Sequence, residues 1–312
     1  MSNKALHFFI FFIIFFGLIA FFSLCYNKNL CSDIKTNNLN NLIAQNQISE
    51  PVSSLPIYKI AFISDTHENS IIFPFLKESL QSIKPNILFH IGDLTNFGTL
   101  SSLSDAKEDL DSLQITYFAL PGDHDIAQTS STSNFDKLFI SPESYTFEDI
   151  KILIIPNFYN FTPISDSRFK SIISSIPNYN VFVSPQPIYV DENNIFYNKY
   201  MGSDTAFENL TPNQINSLKI YNQQRLLILE EFRKSKTSKI IISGDHHRSS
   251  TFEDPINPKI KYHIVGSLAK YIEFGSTKLL QSSLQSNRYS ILEFYRDTEE
   301  NISFKIKEIE LK

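Results

Sequence analysis

Four short clusters in this chain carry residue types that hold metal ions. They are Asp65-Thr66-His67, Gly92-Asp93, Gly122-Asp123-His124-Asp125 and Gly244-Asp245-His246-His247. Four of the seven histidines fall inside them, so the imidazoles are concentrated where the carboxylates are. Mixed Asp/His sets suit Mn²⁺, Fe or Zn²⁺, and oxygen-rich sets suit Mg²⁺ or Mn²⁺. In an extended segment residues i and i+2 point the same way. Asp65 with His67, and Asp245 with His247, are therefore expected to grip one ion, with His246 facing elsewhere. One D-x-H is a weak signal, and Gly-Asp alone is simply a turn dipeptide. Four such clusters in order, each directly behind an apolar run, point to a metal centre.

The runs that must position these clusters alternate between strand and helix patterns. Strands are expected over 57–64, 86–91, 115–120, 181–183 and 239–243, with a hairpin over 145–155 turning at Glu148-Asp149. Helices are expected over 71–83 and 101–113, and from the cap Thr211-Pro212 to about Lys234. Late strands follow near 262–265, 289–295 and 302–309. Strands alternating with helices predict a layered α/β domain, and the clusters lie at the C-terminal ends of its strands. In an open α/β sheet those ends meet at one edge, where sites are built.

In this order the clusters resemble the pattern of the calcineurin-like metallophosphoesterase family: D-x-H, G-D, G-N-H-D/E, a lone His after a later strand, and G-H-x-H. The resemblance spans nearly all of 57–312. It implies a four-layer α/β sandwich, two central mixed β-sheets flanked by helices, with a two-ion centre at one edge. It also implies hydrolysis of a phosphomonoester or phosphodiester by water activated at the metal. Carried over residue by residue, Asp65, His67, Asp93 and His247 match the first ion's ligands, with Asp93 bridging to the second. His124 matches the histidine that protonates the leaving oxygen, and Asp125 the carboxylate that orients it.

The second ion's ligands depart from the pattern at three positions. Asp123 replaces Asn, Pro185 stands where the lone His is expected in Val183-Ser184-Pro185-Gln186-Pro187, and Asp245 replaces the first His of G-H-x-H. Either Asp93, Asp123 and Asp245 form an all-carboxylate position for a hard cation, or that position is empty. One or two divalent ions (Mn, Fe, Zn or Mg) are thus expected. The leading function is a metal-dependent phosphoesterase acting on a phosphate ester. The rival is a catalytically silent binding or scaffold module that keeps one structural ion. His90 and His263 lie inside apolar strands and are expected to be structural. Arg248 and the aromatic stretch 189–207 are weaker candidates for substrate contact, with an exposed arginine and a surface loop as their plainer readings.

Before the domain, Phe8–Leu24 carries no charge, and with Ala5, Leu6 and His7 it reaches about the 20 residues that span a bilayer. Lys4 on its N-terminal side favours a cytoplasmic start. The expected organisation is a signal anchor or transmembrane helix over 1–26, a polar linker over 27–56, and the domain over 57–312. That places the chain in the cell membrane as a single-pass protein with its domain outside the cytoplasm. A net charge of -5 gives no nucleic-acid footprint. The only cysteines, Cys25 and Cys31, precede the domain and exclude a disulfide scaffold or thiolate site within it.

Overall fold

The computed structural model describes residues 55–158, 162–188, 211–247, 249–269, 286–298 and 301–311. Within them are eleven strands in two mixed sheets, with four α-helices. The first sheet has the order β11-β10-β1-β2-β3. Here β1 is Tyr58–Ile63, β2 Ile87–Ile91, β3 Tyr117–Leu120, β10 Arg288–Arg296 and β11 Ile302–Glu310. Strands β1, β2 and β3 run parallel, and β10 closes antiparallel on β1. The second sheet has the order β4-β5-β6-β7-β9-β8. Its strands are β4 Ser144–Phe147, β5 Ile150–Ile154, β6 Val181–Ser184, β7 Lys239–Ser243, β8 Ser250–Glu253 and β9 Ile260–Ile264.

Period-two alternation sorts the apolar side chains into three layers of core. On β1, Ile60 and Phe62 face the second sheet and meet Ile152, Val183 and Ile242. Ala61 and Ile63 point the other way, against α1 (Phe73–Ile83) and α2 (Leu100–Ser112) through Leu76, Leu80, Leu103 and Leu110. The outer face of the second sheet packs Phe182 and Ile241 against α3 (Asp166–Ser175) and α4 (Pro212–Arg233) through Ile172, Ile228 and Phe232. Each such side chain, fully buried, contributes about 1.5–3 kcal/mol. The central strands are consequently apolar on both faces, which is why they read as continuous runs rather than alternating ones.

The helix starts follow from their caps. Thr99 accepts a hydrogen bond from Ser102 N at the head of α2. Thr211 and Gln214 form a reciprocal capping box at α4, with Pro212 in the first turn. The expected two mixed sheets with flanking helices are present. The anchor expected over 1–26, and the linker up to residue 54, lie outside the described residues, as do Arg248 and 189–207. Among the described residues no helix is long and apolar enough to cross a membrane.

Candidate metal centre

Strand β1 ends at Ile63, and the chain then turns across the end of β2. Asp65 N donates to Gly92 O at 3.0 Å, His67 N to Asp93 O at 3.1 Å and Glu68 N to Leu94 O at 2.9 Å. The expected i, i+2 alternation of an extended segment is not what brings the ligands together. Asp65, His67, Asp93, Asp245 and His247 all have positive φ, between 46° and 73°. With Glu68, they make six of the ten non-glycine residues in that conformation among the described residues. Left-handed backbone at non-glycine residues costs on the order of 1–3 kcal/mol and persists where the surroundings over-determine it. Its concentration at the strand ends marks a built site. Gly122 is required by the same crowding, because a Cβ there would lie 1.9 Å from Asp93 Oδ1.

These turns bring single ligand atoms of Asp65, His67, Asp93 and His247 within 4.8 Å of one another. The Nε2 atoms of His67 and His247 stand 3.2 Å apart. His247 Nε2 is 3.3 Å from Asp65 Oδ1, and His67 Nε2 is 3.8 Å from Asp93 Oδ2. Donor atoms about 2.0–2.1 Å from a shared ion stand roughly 3.0–3.4 Å apart, so the set needs little closure to fit one. Asp65 is fully buried and neither carboxylate oxygen accepts a hydrogen bond. A buried carboxylate with no well-formed hydrogen bond, and with His247 Nε2 as its near neighbour, is costly without a cation. Burial, then the neighbouring His247 and His124, push the His67 imidazole down to about 3, which keeps its lone pair available. Burial, then Asp123 and Asp65, push the Asp93 carboxyl well above the ordinary range. The residues fit a divalent ion.

A second group, Asp93, Asp123 and His124, also lies within 4.8 Å. Asp245 joins neither group; its Oδ1 accepts from Gln186 Nε2 at 3.2 Å, and its Oδ2 is 4.0 Å from His246 Nε2. The charges of Asp123 and Asp245 nonetheless act on Asp93, so the three carboxylates of the expected second position are neighbours that do not share one 4.8 Å group.

His124 opens a 3₁₀ turn directly behind β3, half-buried, with its ring edge-on to His67 at 4.8 Å. Its Nδ1 donates to Asn96 O at 3.0 Å, which leaves Nε2 as the working nitrogen. Asn96 is in turn clamped by Glu68, whose Oε1 accepts from Asn96 N at 3.1 Å and Oε2 from Asn96 Nδ2 at 3.0 Å. Sequence reasoning missed both residues. Their only signal is proximity: Asn96 follows Asp93 by three positions and Glu68 follows His67 by one.

The role expected for Asp125 is corrected. Its buried carboxylate accepts from Leu94 N, Thr95 N, Thr95 Oγ1 and Gly122 N at 2.9–3.1 Å, and orients these loops rather than His124. Burial raises its carboxyl to about 6 while the four donors oppose the rise. Asp125→Ala leaves three backbone N–H groups without their partner. A loss of about 3–5 kcal/mol is expected, read as a melting temperature lower by roughly 10 °C. A change under about 1 kcal/mol would show that water replaces the carboxylate. His90 and His263 are fully buried and belong to neither ligand group, with His90 Nδ1 left without a hydrogen bond. His90 Nε2 donates to Thr66 Oγ1, which itself donates to Leu94 O, and His263 meets Thr251 Oγ1 and Ser290 Oγ.

A sequence model described as calcineurin-like phosphoesterase matches residues 58–272. No curated protein matches the sequence. Among solved structures, a dimetal phosphatase from Danio rerio is similar at 9% identity and TM-score 0.53, covering 83% of this chain and 100% of that one. Purple acid phosphatase PPD1 from yellow lupin (Lupinus luteus) seeds is similar at 12% identity and TM-score 0.50, covering 84% of this chain and 55% of that one. GAP50, the anchor in the inner membrane complex of Plasmodium, is similar at 13% identity and TM-score 0.50, covering 81% of this chain and 88% of that one. At these identities the likeness establishes the fold alone.

Proposed function

Because the chain belongs to the calcineurin-like phosphoesterase family, we propose that it hydrolyses a phosphomonoester or phosphodiester at the centre formed by Asp65, His67, Asp93 and His247. The observation that carries this reading is a four-atom ligand set within 4.8 Å, beside a histidine held by its far nitrogen. A divalent ion bound there supplies Lewis-acid polarisation of the phosphoryl oxygens and a lower pKa for water.

The chain's own residues do the rest. Asp65 and Asp93, which would give up their protons to a bound cation, fix where that cation sits. His67 remains neutral because burial disfavours its charged form. With Nδ1 committed to Asn96 O, His124 presents Nε2 to the phosphate side, where its imidazolium form delivers a proton to the departing oxygen. Asn96 keeps that ring from rotating, and Glu68 keeps Asn96 in place.

The reading extends to location. The uncharged stretch Phe8–Leu24, with Lys4 before it, supports a single-pass anchor that holds the domain outside the cytoplasm. The full-length protein should then sediment with membranes, and protease added to intact cells should digest the domain. Protection of the domain inside intact cells would refute the orientation.

The catalytic reading is tested with the purified full-length chain, loaded in turn with Mn²⁺ and Zn²⁺ and assayed against chromogenic phosphomonoesters and phosphodiesters. Metal-dependent turnover that chelation abolishes is expected. A chain that holds its ion and turns over no phosphate ester is a binding module.

A further inference from the structure

The two-ion centre implied by the family pattern needs a ligand at Pro185 and one at Asp245, and both corners are otherwise engaged. Pro185 offers no side-chain donor, and its carbonyl accepts from Gly244 N at 3.0 Å. The next side chain, Gln186, is 2% exposed and reaches Asp245. Its Nε2 donates to Asp245 Oδ1 at 3.2 Å, and its Oε1 accepts from Tyr221 OH at 2.6 Å. The Gln186 backbone is fixed as well: its carbonyl accepts from Asn157 Nδ2 at 2.7 Å and from Ser184 Oγ at 2.9 Å. One turn along α4 from Tyr221 lies Arg225, also 2% exposed, with its guanidinium carbon 5.5 Å from the Tyr221 ring centroid. Arg225 donates to Pro187 O, and its charge reaches Asp245 through the buried interior.

We propose that this chain holds a single divalent ion, and that Gln186, Tyr221 and Arg225 serve Asp245 in place of the second. The proposal rests on the reading of the Asp65–His67–Asp93–His247 centre given above. Asp245 is half-buried, and a carboxylate drawn that far out of water is stabilised by pairing and hydrogen bonds. Asp245 already has an amide donor whose other end is locked by a tyrosine hydroxyl, together with a nearby buried guanidinium. A second dication at that corner would have to displace Gln186 and sit close to a positive charge that cannot leave. Arg remains protonated in proteins, so the repulsion is permanent. The departures at Pro185 and Asp245 and the polar network thus form one substitution. The corner that takes an ion elsewhere is here filled by protein.

The measurement is elemental analysis of the detergent-solubilised full-length chain after equilibration with Mn²⁺ alone, and separately with Zn²⁺ alone. One ion per chain is expected for the wild type. Gln186→Glu removes the amide donor and puts a second carboxylate beside Asp245, and a rise from one ion to two is expected. Circular dichroism confirms that this near-isosteric variant is folded. Two ions in the wild type overturn the proposal, including a second ion held between Asp93, Asp123 and His124. One ion in both proteins overturns the role given to Gln186. No ion in either overturns the first centre itself, and the count distinguishes that failure from the others.

Discussion

Replacing His67 by alanine is expected to empty the metal centre and to lower phosphoester turnover by about 10³-fold or more. Lewis-acid stabilisation is worth several kcal/mol, and each 1.4 kcal/mol is a factor of ten. Three ligand atoms remain, but the missing imidazole stood 3.2 Å from His247 Nε2 and 3.8 Å from Asp93 Oδ2, at the middle of the set. Folded-state stability falls as well, by about 4 kcal/mol where the ion is present at a thousand times its Kd. Metal content, turnover and melting temperature should drop together. Unchanged metal content would mean that the ion sits elsewhere.

The pH dependence of the metal-free wild type is a companion test. Burial raises the Asp65, Asp93 and Asp245 carboxyls above the ordinary 3.8, so in the folded chain they hold protons that the unfolded chain has released. Where the folded state binds more protons, stability falls as pH rises. These carboxyls therefore take stability from the chelated protein as pH rises from 3.8 through their raised values. His67, His90, His246 and His263, lowered by burial to about 3–4, add stability up to the ordinary 6.5, so the net loss is expected above about pH 6.5. The ion, which replaces the protons, should contribute most at the upper end. A melting temperature for the chelated protein that does not fall above about pH 6.5, where the histidines are neutral in both states, would show that the fold does not hold these carboxyls protonated.

Much of this architecture was legible because its signals are local. The apolar runs of β1, β2 and β7 are short and buried on both faces, and each is followed at once by Asp, Gly-Asp or Gly-Asp-His-His. The Thr211–Gln214 box declares its helix within four residues. What could not be read was weakly patterned or long-range. Helix α3 has no side-chain cap and buries only Ile172, so its stripe is faint. Strand β8 is an edge strand whose residues alternate between exposed and half-buried, with Phe252 its one apolar contact to the core. The strand-end clusters were visible, but the left-handed turns that aim them were not, because Asp and His are not turn-forcing residues in the way glycine is. The Gln186–Tyr221–Arg225 network joins positions 35 and more apart, and no local pattern announces such a contact. Asp125 was visible as a carboxylate beside His124, but three of its four donors come from Leu94 and Thr95, a loop brought to it only by the fold.

His124→Ala is expected to lower turnover by about 10²–10⁴-fold, the usual contribution of a positioned general acid, while ion content stays at the wild-type value. The separation follows from geometry. Among the described contacts, His124 reaches Asp93 through its backbone N–H, at 3.2 Å from Oδ1, and that contact survives truncation of the ring. Glu68 provides the finer test, because the hydrogen bonds of its side chain go to Asn96 and not to the ion's ligand atoms or the His124 ring. Removing it frees Asn96 to move and so loosens the carbonyl that fixes His124 Nδ1. Glu68→Ala should therefore reduce kcat by a smaller factor, roughly tenfold, and leave KM and ion content unchanged; a 1 Å misplacement of a catalytic group can cost up to about 10². Glu68→Gln keeps one acceptor for Asn96 and should fall between Glu68→Ala and the wild type. If His124→Ala retains near-normal turnover, another group protonates the leaving oxygen. If His124→Ala is crippled while Glu68→Ala is not, the surrounding turn holds the Asn96 carbonyl without help, and the clamp has no part in positioning the acid.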